Sequence, residues 1–198
     1  LIQSMRISGG TAGGIPLQVP KGVEIRPATD ANRERLFSSL GEFVTQCSFL
    51  DLFAGTGSYG LEALSRGAKQ GTFVEFHRKC FRALSKNGDN VFKSANIEPA
   101  QTILENREVM EFLRNERNSF DIIFLDPPYS LFPKIGPQIF QQIKQNQILK
   151  ESGLLIHEAP GEESSDFIGW KLLRTIGKSK KGSPIFRIFQ LDNQHSQS

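Results

Sequence analysis

Cysteine is almost missing from these 198 residues: only Cys47 and Cys80 occur. Two thiols make neither a disulfide framework nor a zinc ligand set, and both read as buried and inert in a reducing compartment. Histidine is scarce too, and His77, His157 and His195 share no ligand spacing, so no metal is expected. Long apolar runs are absent. Ile122–Leu125 and Gly153–Ile156 are far short of the roughly 20 residues a membrane span needs. No signal-peptide pattern is visible, since Arg6 follows closely on Leu1–Ser4, and those four residues ahead of Met5 read either as a remnant or as an upstream start and are set aside from the fold. There is no internal repeat, and the one polar low-complexity stretch is Asn193–Ser198. These absences point to a cytoplasmic chain without a membrane partner, expected to be a monomer.

What is present is ordinary in amount and uneven in placement. Hydrophobic residues make up 38% and charged residues 23%, which excludes global disorder. Net charge is only +3, but the stretch from Trp170 onward holds six basic residues (Lys171, Arg174, Lys178, Lys180, Lys181 and Arg187) against the single acid Asp192. A basic end of this kind suits either a polyanionic partner or a solubilised sheet edge.

Periodicity gives an α/β rhythm. Met5–Pro20 alternates short apolar segments with glycines and reads as a β-hairpin or loose β-arm, so residues 1–22 are expected to form an N-terminal arm and 23–198 the main domain. Helices are predicted over Asp30–Leu40, Tyr59–Arg66, His77–Phe92, Glu108–Arg117 and Ile135–Ile148. Strands are predicted over Ser48–Phe53, Gly71–Phe76, Pro99–Leu104, Phe120–Leu125 and Gly153–His157, with a closing hairpin of Trp170–Ile176 and Pro184–Leu191. The fold class that follows is α/β and Rossmann-like: a mostly parallel seven-stranded sheet with one antiparallel strand. Ligands in such sheets bind beyond the carboxyl ends of strands, which directs attention to the residues after Phe53, Glu75 and Leu125.

Two motifs stand there. Asp51-Leu-Phe-Ala-Gly55-Thr-Gly57-Ser-Tyr-Gly60 follows a strand and opens a helix. Its glycines permit a sharp turn and close ligand approach. The pattern alone also describes nicotinamide-dependent oxidoreductases. Asp51, four residues before the first glycine, favours a ligand with an ammonium group, such as S-adenosylmethionine, and Glu75 ends the next strand where an acid can accept ribose hydroxyls. The second motif, Asp126-Pro127-Pro128-Tyr129, follows a strongly apolar strand. Its prolines stiffen the loop and remove two donors, leaving the Asp126 carboxylate and the Pro127 carbonyl as acceptors beside an aromatic ring. Two acceptors can orient an exocyclic amine, whose lone pair is otherwise delocalised into its base, and Tyr129 can stack on that base. No covalent nucleophile is required.

On these residues the chain resembles class I amino methyltransferases of nucleic acids. More narrowly it is similar to the RsmD family, enzymes that methylate a guanine N2 in 16S ribosomal RNA. The likeness extends to Met5-Arg-Ile-Ser-Gly-Gly10, Arg26-Pro-Ala-Thr-Asp30, Arg33-Glu34, Leu36-Phe37, Leu61–Ala68 and Phe124–Tyr129. It implies an S-adenosylmethionine-dependent enzyme, with S-adenosylhomocysteine as product, acting on 16S RNA within the small subunit or an assembly intermediate. Cofactor-binding residues would be Asp51, Phe53, Ala54, Gly55, Gly57 and Glu75, with Glu108 and Val109 at the adenine, and Asp126, Pro127, Pro128 and Tyr129 would be catalytic. RNA contacts would fall to Arg6, Arg26, Arg33, Lys178, Lys180 and Lys181. The stretch Thr11-Ala-Gly-Gly14 carries none of the family's basic residues. A DNA amino methyltransferase is the alternative of similar chemistry, although this length leaves little room for a target-recognition domain.

Overall fold

The structure, a computed structural model, describes residues 5–22, 29–160, 166–177 and 184–192. Arg26, Lys178, Lys180 and Lys181 lie outside the described residues. Among the described residues no helix is long and apolar enough to cross a membrane. Seven strands form one sheet, and the chain divides into two compact units, Leu1–Val109 and Met110–Ser198.

In the first unit β1 (Ser48–Leu52), β2 (Gln70–Val74) and β3 (Thr102–Glu105) run parallel with β2 in the middle. Every residue of β1 is buried, Asp51 included. Parallel strands covered on both faces are normally apolar throughout, so a carboxylate there needs a specific reason. Helices α1 (Asp30–Leu40), α2 (Ser58–Ser65) and α3 (Arg78–Ala95) complete the unit. Helix α2 lies flush on the sheet. A Cβ added at Gly60 would come within 2.2 Å of the Phe73 ring and 2.6 Å of Phe49.

In the second unit β4 (Phe120–Leu125) pairs in parallel with β5 (Leu149–Pro160), while β7 (Pro184–Leu191) runs antiparallel to both β5 and β6 (Trp170–Ile176). The sheet therefore has one antiparallel strand, β7, as the sequence pattern predicts. Helix α4 (Val109–Asn115) leads into this unit, and α5 (Phe132–Gln145) packs in an aromatic cluster. Phe140 stacks on Phe167 at 3.8 Å and meets Trp170 edge-on at 5.1 Å; the indole N–H donates to the Phe140 carbonyl.

Element boundaries shift where local chemistry overrides periodicity. Asp30 is the first residue of α1, and the cap is Thr29, whose hydroxyl accepts from the Asn32 amide. Helix α3 runs through Gly88 and stops only at Asn96, a left-handed residue whose N–H bonds the Phe92 carbonyl. Helix α5 begins at Phe132, with Pro133 in its first turn, where a missing N–H does no harm.

The N-terminal arm is tied to this frame by a buried acid. Residues 5–17 fold back with one antiparallel bridge, Arg6 to Pro16, and with Ile7 donating to the Ile15 carbonyl. Met5, Ile7, Ala12 and Leu17 are buried, so the arm contributes to the core. The Glu62 carboxylate, wholly inaccessible, accepts from the backbone N–H groups of Ser8 (2.7 Å) and Gly9 (2.8 Å), the Ser8 hydroxyl (2.8 Å) and Arg66 Nε (2.9 Å). Arg33, also fully buried, lies 3.8 Å from Glu62, pairs with Asp30 at 2.7 Å and donates to the Arg6 carbonyl. Ser65 adds a second clasp, donating to the Gly9 carbonyl (2.6 Å) and accepting from the Ala12 amide (2.9 Å). Removing one partner of such a cluster strands the other charge. Glu62→Ala is expected to cost about 3–5 kcal/mol in urea denaturation, and Glu62→Gln clearly less, because an amide keeps one acceptor. A Glu62→Ala protein with the wild-type unfolding midpoint would show that the arm does not depend on Glu62.

Candidate functional site

The glycine loop between β1 and α2 is shaped by three left-handed residues, Phe53 (φ 61°), Gly55 (φ 57°) and Gly57 (φ 89°). The glycines differ in purpose. A Cβ at Gly57 would strike Leu84 at 2.5 Å and Leu61 at 2.9 Å, so that glycine serves packing. A Cβ at Gly55 would meet nothing nearer than the Phe53 carbonyl at 3.9 Å. Gly55 thus needs its freedom for its backbone angle, and its Cα faces open space that a ligand can enter. Phe53 is a non-glycine residue in a disfavoured region, which is stored strain at a ligand loop.

The loop's own donors are met by two carboxylates at strand ends. Glu75, immediately after β2, accepts from the Gly55 amide (2.8 Å) with one oxygen and from the His77 amide (2.6 Å) with the other. Burial raises its carboxyl above the ordinary range, against the lowering effect of those two bonds. Asp51 accepts from the Gly60 amide (2.9 Å) in the first turn of α2. Its burial, with a smaller contribution from the Glu75 charge, pushes it up to about 7 despite the Gly60 bond. A carboxylate destabilised in this way is one that a cation would relieve.

Two residues that periodicity does not reveal complete this surface. Phe76, next to Glu75, is an aromatic residue 70% exposed to solvent. The Asn106 side chain donates to the Glu75 carbonyl (2.7 Å) and the Phe76 carbonyl (3.1 Å), fixing the strand end that carries both. An aromatic directly after a strand-ending acid, and an amide directly after β3, were the available signals. Of the remaining expected cofactor residues, Ala54 is buried and donates to the Val74 carbonyl, Val109 is buried at the start of α4, and Glu108 is exposed.

In the second unit the Asp126–Tyr129 loop follows β4 directly. Pro127 is buried and Pro128 exposed, with Asp126 and Tyr129 intermediate. The Pro128 carbonyl accepts from the amides of Leu131 (2.8 Å) and Phe132 (3.2 Å), so the loop is welded to α5. The expected acceptors, the Asp126 carboxylate and the Pro127 carbonyl, come just before that weld. Behind it the Phe132 ring stacks on His157 at 3.9 Å, and Gly136 supplies the room, since a Cβ there would lie 2.7 Å from that ring. His157 is held down to about 3, first by burial and then by the Arg187 charge, and is a neutral plate at any ordinary pH. Its isolated place in the sequence gave no hint of that support.

The expected RNA-contacting residues divide. Arg6 is 61% exposed while pairing with Asp30 at 3.0 Å. Arg33, expected on the substrate side, is instead fully buried and occupied in holding the arm.

Fold and loop together define a doubly wound methyltransferase of class I. The Escherichia coli structure yhhF, described as a candidate methyltransferase, matches with a TM-score of 0.79 and 29% identity over 96% of this chain and 99% of that one. Residues 5–190 match the family described as conserved hypothetical protein 95. The ribosomal RNA small subunit methyltransferase D of Haemophilus influenzae is 34% identical over 94% of this chain and 93% of its own length; that of Escherichia coli is 31% identical over 96% and 91%. The chain belongs to this methyltransferase D family.

The raised carboxyl of Asp51 gives a signed expectation. A folded-state pKa above the unfolded value means that folding binds a proton, so stability falls as pH rises from the unfolded pKa of about 3.9 toward about 7. The melting temperature of the ligand-free protein should drop between roughly pH 4 and 7, and Asp51→Asn, whose amide oxygen still accepts from Gly60, should flatten much of that slope. An unchanged slope in thermal melts of Asp51→Asn would remove Asp51 as its source.

Proposed function

We propose that this chain transfers a methyl group from S-adenosylmethionine to the exocyclic N2 amine of a guanine in 16S ribosomal RNA, within the small subunit or an assembly intermediate. The observation that carries the reading is the Asp126-Pro-Pro-Tyr129 loop at the end of β4, in a chain whose glycine loop leaves open space at Gly55 beside Glu75. The names of the relatives support ribosomal RNA as the substrate class.

The residues present fit such a cofactor. Each Glu75 oxygen accepts one backbone N–H and has a second lone pair for a ribose hydroxyl. Phe76 offers its exposed ring to one adenine face, with Glu108 for the adenine amino group and Val109 for a backbone contact. Asp51 supplies negative charge toward an ammonium while Gly60 holds one of its oxygens. When bound, the cofactor would supply a methyl on a sulfonium, the new N–C bond replacing the S–C bond whose electron pair stays on sulfur, and the proton lost by the amine would pass to the Asp126 carboxylate or to solvent. The protein's part is orientation. Asp126 and the Pro127 carbonyl accept the two amine hydrogens and turn the nitrogen lone pair toward the methyl, and Tyr129 fixes the base plane. A paired guanine must leave its stack to be reached, so unpaired or loop guanines are preferred. Arg6, and the basic Arg26, Lys178, Lys180 and Lys181, are assigned to phosphate.

Single-turnover transfer of labelled methyl to saturating 30S particles tests this. Asp126→Ala should slow transfer by about a hundredfold or more while S-adenosylhomocysteine affinity, by calorimetry, changes little. Glu75→Ala should do the reverse, losing about 1–3 kcal/mol of cofactor affinity. A folded Asp126→Ala enzyme working at the wild-type rate would overturn the assignment.

A further inference from the structure

Helix α3 buries one polar side chain that neither the chemistry nor the core explains. Asn87 is wholly inaccessible on a face otherwise formed by Cys80, Ala83, Leu84, Gly88, Val91 and Phe92. Asparagine is a poor helix former, and an amide is costly to bury unless all its groups are bonded. All are. Its oxygen accepts from the Gln18 amide (2.7 Å); its nitrogen donates to the Gln18 carbonyl (3.1 Å) and to the Thr56 carbonyl (3.0 Å). The first two bonds pair with the arm as a neighbouring strand would. The third grips the glycine loop between Gly55 and Gly57. A second contact joins the same two segments, for the Thr56 hydroxyl lies 3.6 Å from the sulfur of Met5 in the arm.

The loop is thereby held from two directions. Glu75 fixes the Gly55 amide, and Asn87 fixes the next carbonyl. Three main-chain partners on two segments are met by one rigid amide, so a shift of either segment breaks bonds to the other. We infer that Asn87 is a positioning residue that locks the glycine loop to the N-terminal arm, so that a ligand on the loop stiffens the arm and an ordered arm favours the ligand. Such coupling is reciprocal by thermodynamic necessity. The arm carries exposed Arg6, so the device would link cofactor occupancy to the surface assigned to RNA. This inference rests on the cofactor reading of the glycine loop given above.

Hydrogen exchange of the full-length protein, with and without S-adenosylhomocysteine, provides the test. In wild type, saturating ligand should slow exchange of residues 5–22, including the Ile7 and Leu17 amides that bond within the arm, by about three- to tenfold. The isosteric Asn87→Asp keeps the acceptor for Gln18 and loses both donors. It should fold, bind the ligand about three- to tenfold more weakly and confine ligand-induced protection to the glycine loop, leaving the arm unresponsive. Asn87→Ser, smaller and still polar, serves as the second variant should the aspartate prove unstable, with the same loss expected. A purely structural Asn87 would lower the melting temperature yet leave the ligand-induced slowing of the arm intact, and that result would overturn the inference. So would a wild-type arm indifferent to bound ligand. If wild type fails to bind S-adenosylhomocysteine at all, it is the cofactor reading that fails.

Discussion

A loop that leaves open space for a ligand cannot satisfy its own backbone in a ladder, and this constraint organises the first unit. The donors of Gly55, Gly60 and His77 are met by carboxylates standing at the ends of β1 and β2. Neutral acceptors would meet the same donors at lower desolvation cost. Acids are more expensive, as the upward displacement of Asp51 and Glu75 shows, but they leave negative charge beside the open side of Gly55. The cost is carried by the ligand-free fold, and a bound cation would return it.

The same solution recurs away from the loop. Glu62 takes the amides of Ser8 and Gly9 and so fastens an arm that, among the described residues, makes one bridge of its own. Asn87 does with an amide what Glu62 does with an acid. Three buried acids and one amide thus meet main-chain groups that no strand ladder satisfies. In the second unit the catalytic candidates rest on different physics: the Pro128 carbonyl starts α5, and the stacked Phe132 and His157 rings brace the junction.

Much of this was legible in the sequence. The strands β4 and β7 have the limits their apolar pattern predicts, because a buried strand leaves its length in the hydropathy; β6, mostly exposed, has its predicted limits as the outer half of the closing hairpin. The two motif loops were legible because glycine and proline restrict the backbone in ways composition exposes. Less visible were long-range polar bonds. Arg33 reads as a surface cation until Glu62, far off in the chain, is seen beside it. Asn87 and Asn106 look like ordinary polar residues, since their partners are main-chain groups, which carry no sequence signal. Phe76 reads as the last residue of a strand, and its exposure beyond the end of β2 is visible only in the structure.

If the carboxylate-held glycine loop and the proline-stiffened acceptor loop act in methyl transfer to a guanine amine, as proposed above, the product identifies the reaction. Small subunits lacking this modification would be treated with the protein and methyl-labelled S-adenosylmethionine, the 16S RNA digested, and the labelled nucleoside identified by mass spectrometry. Label is expected in N2-methylguanosine at a single site. Label on a ring nitrogen, on a ribose hydroxyl or on no nucleoside would contradict the proposal.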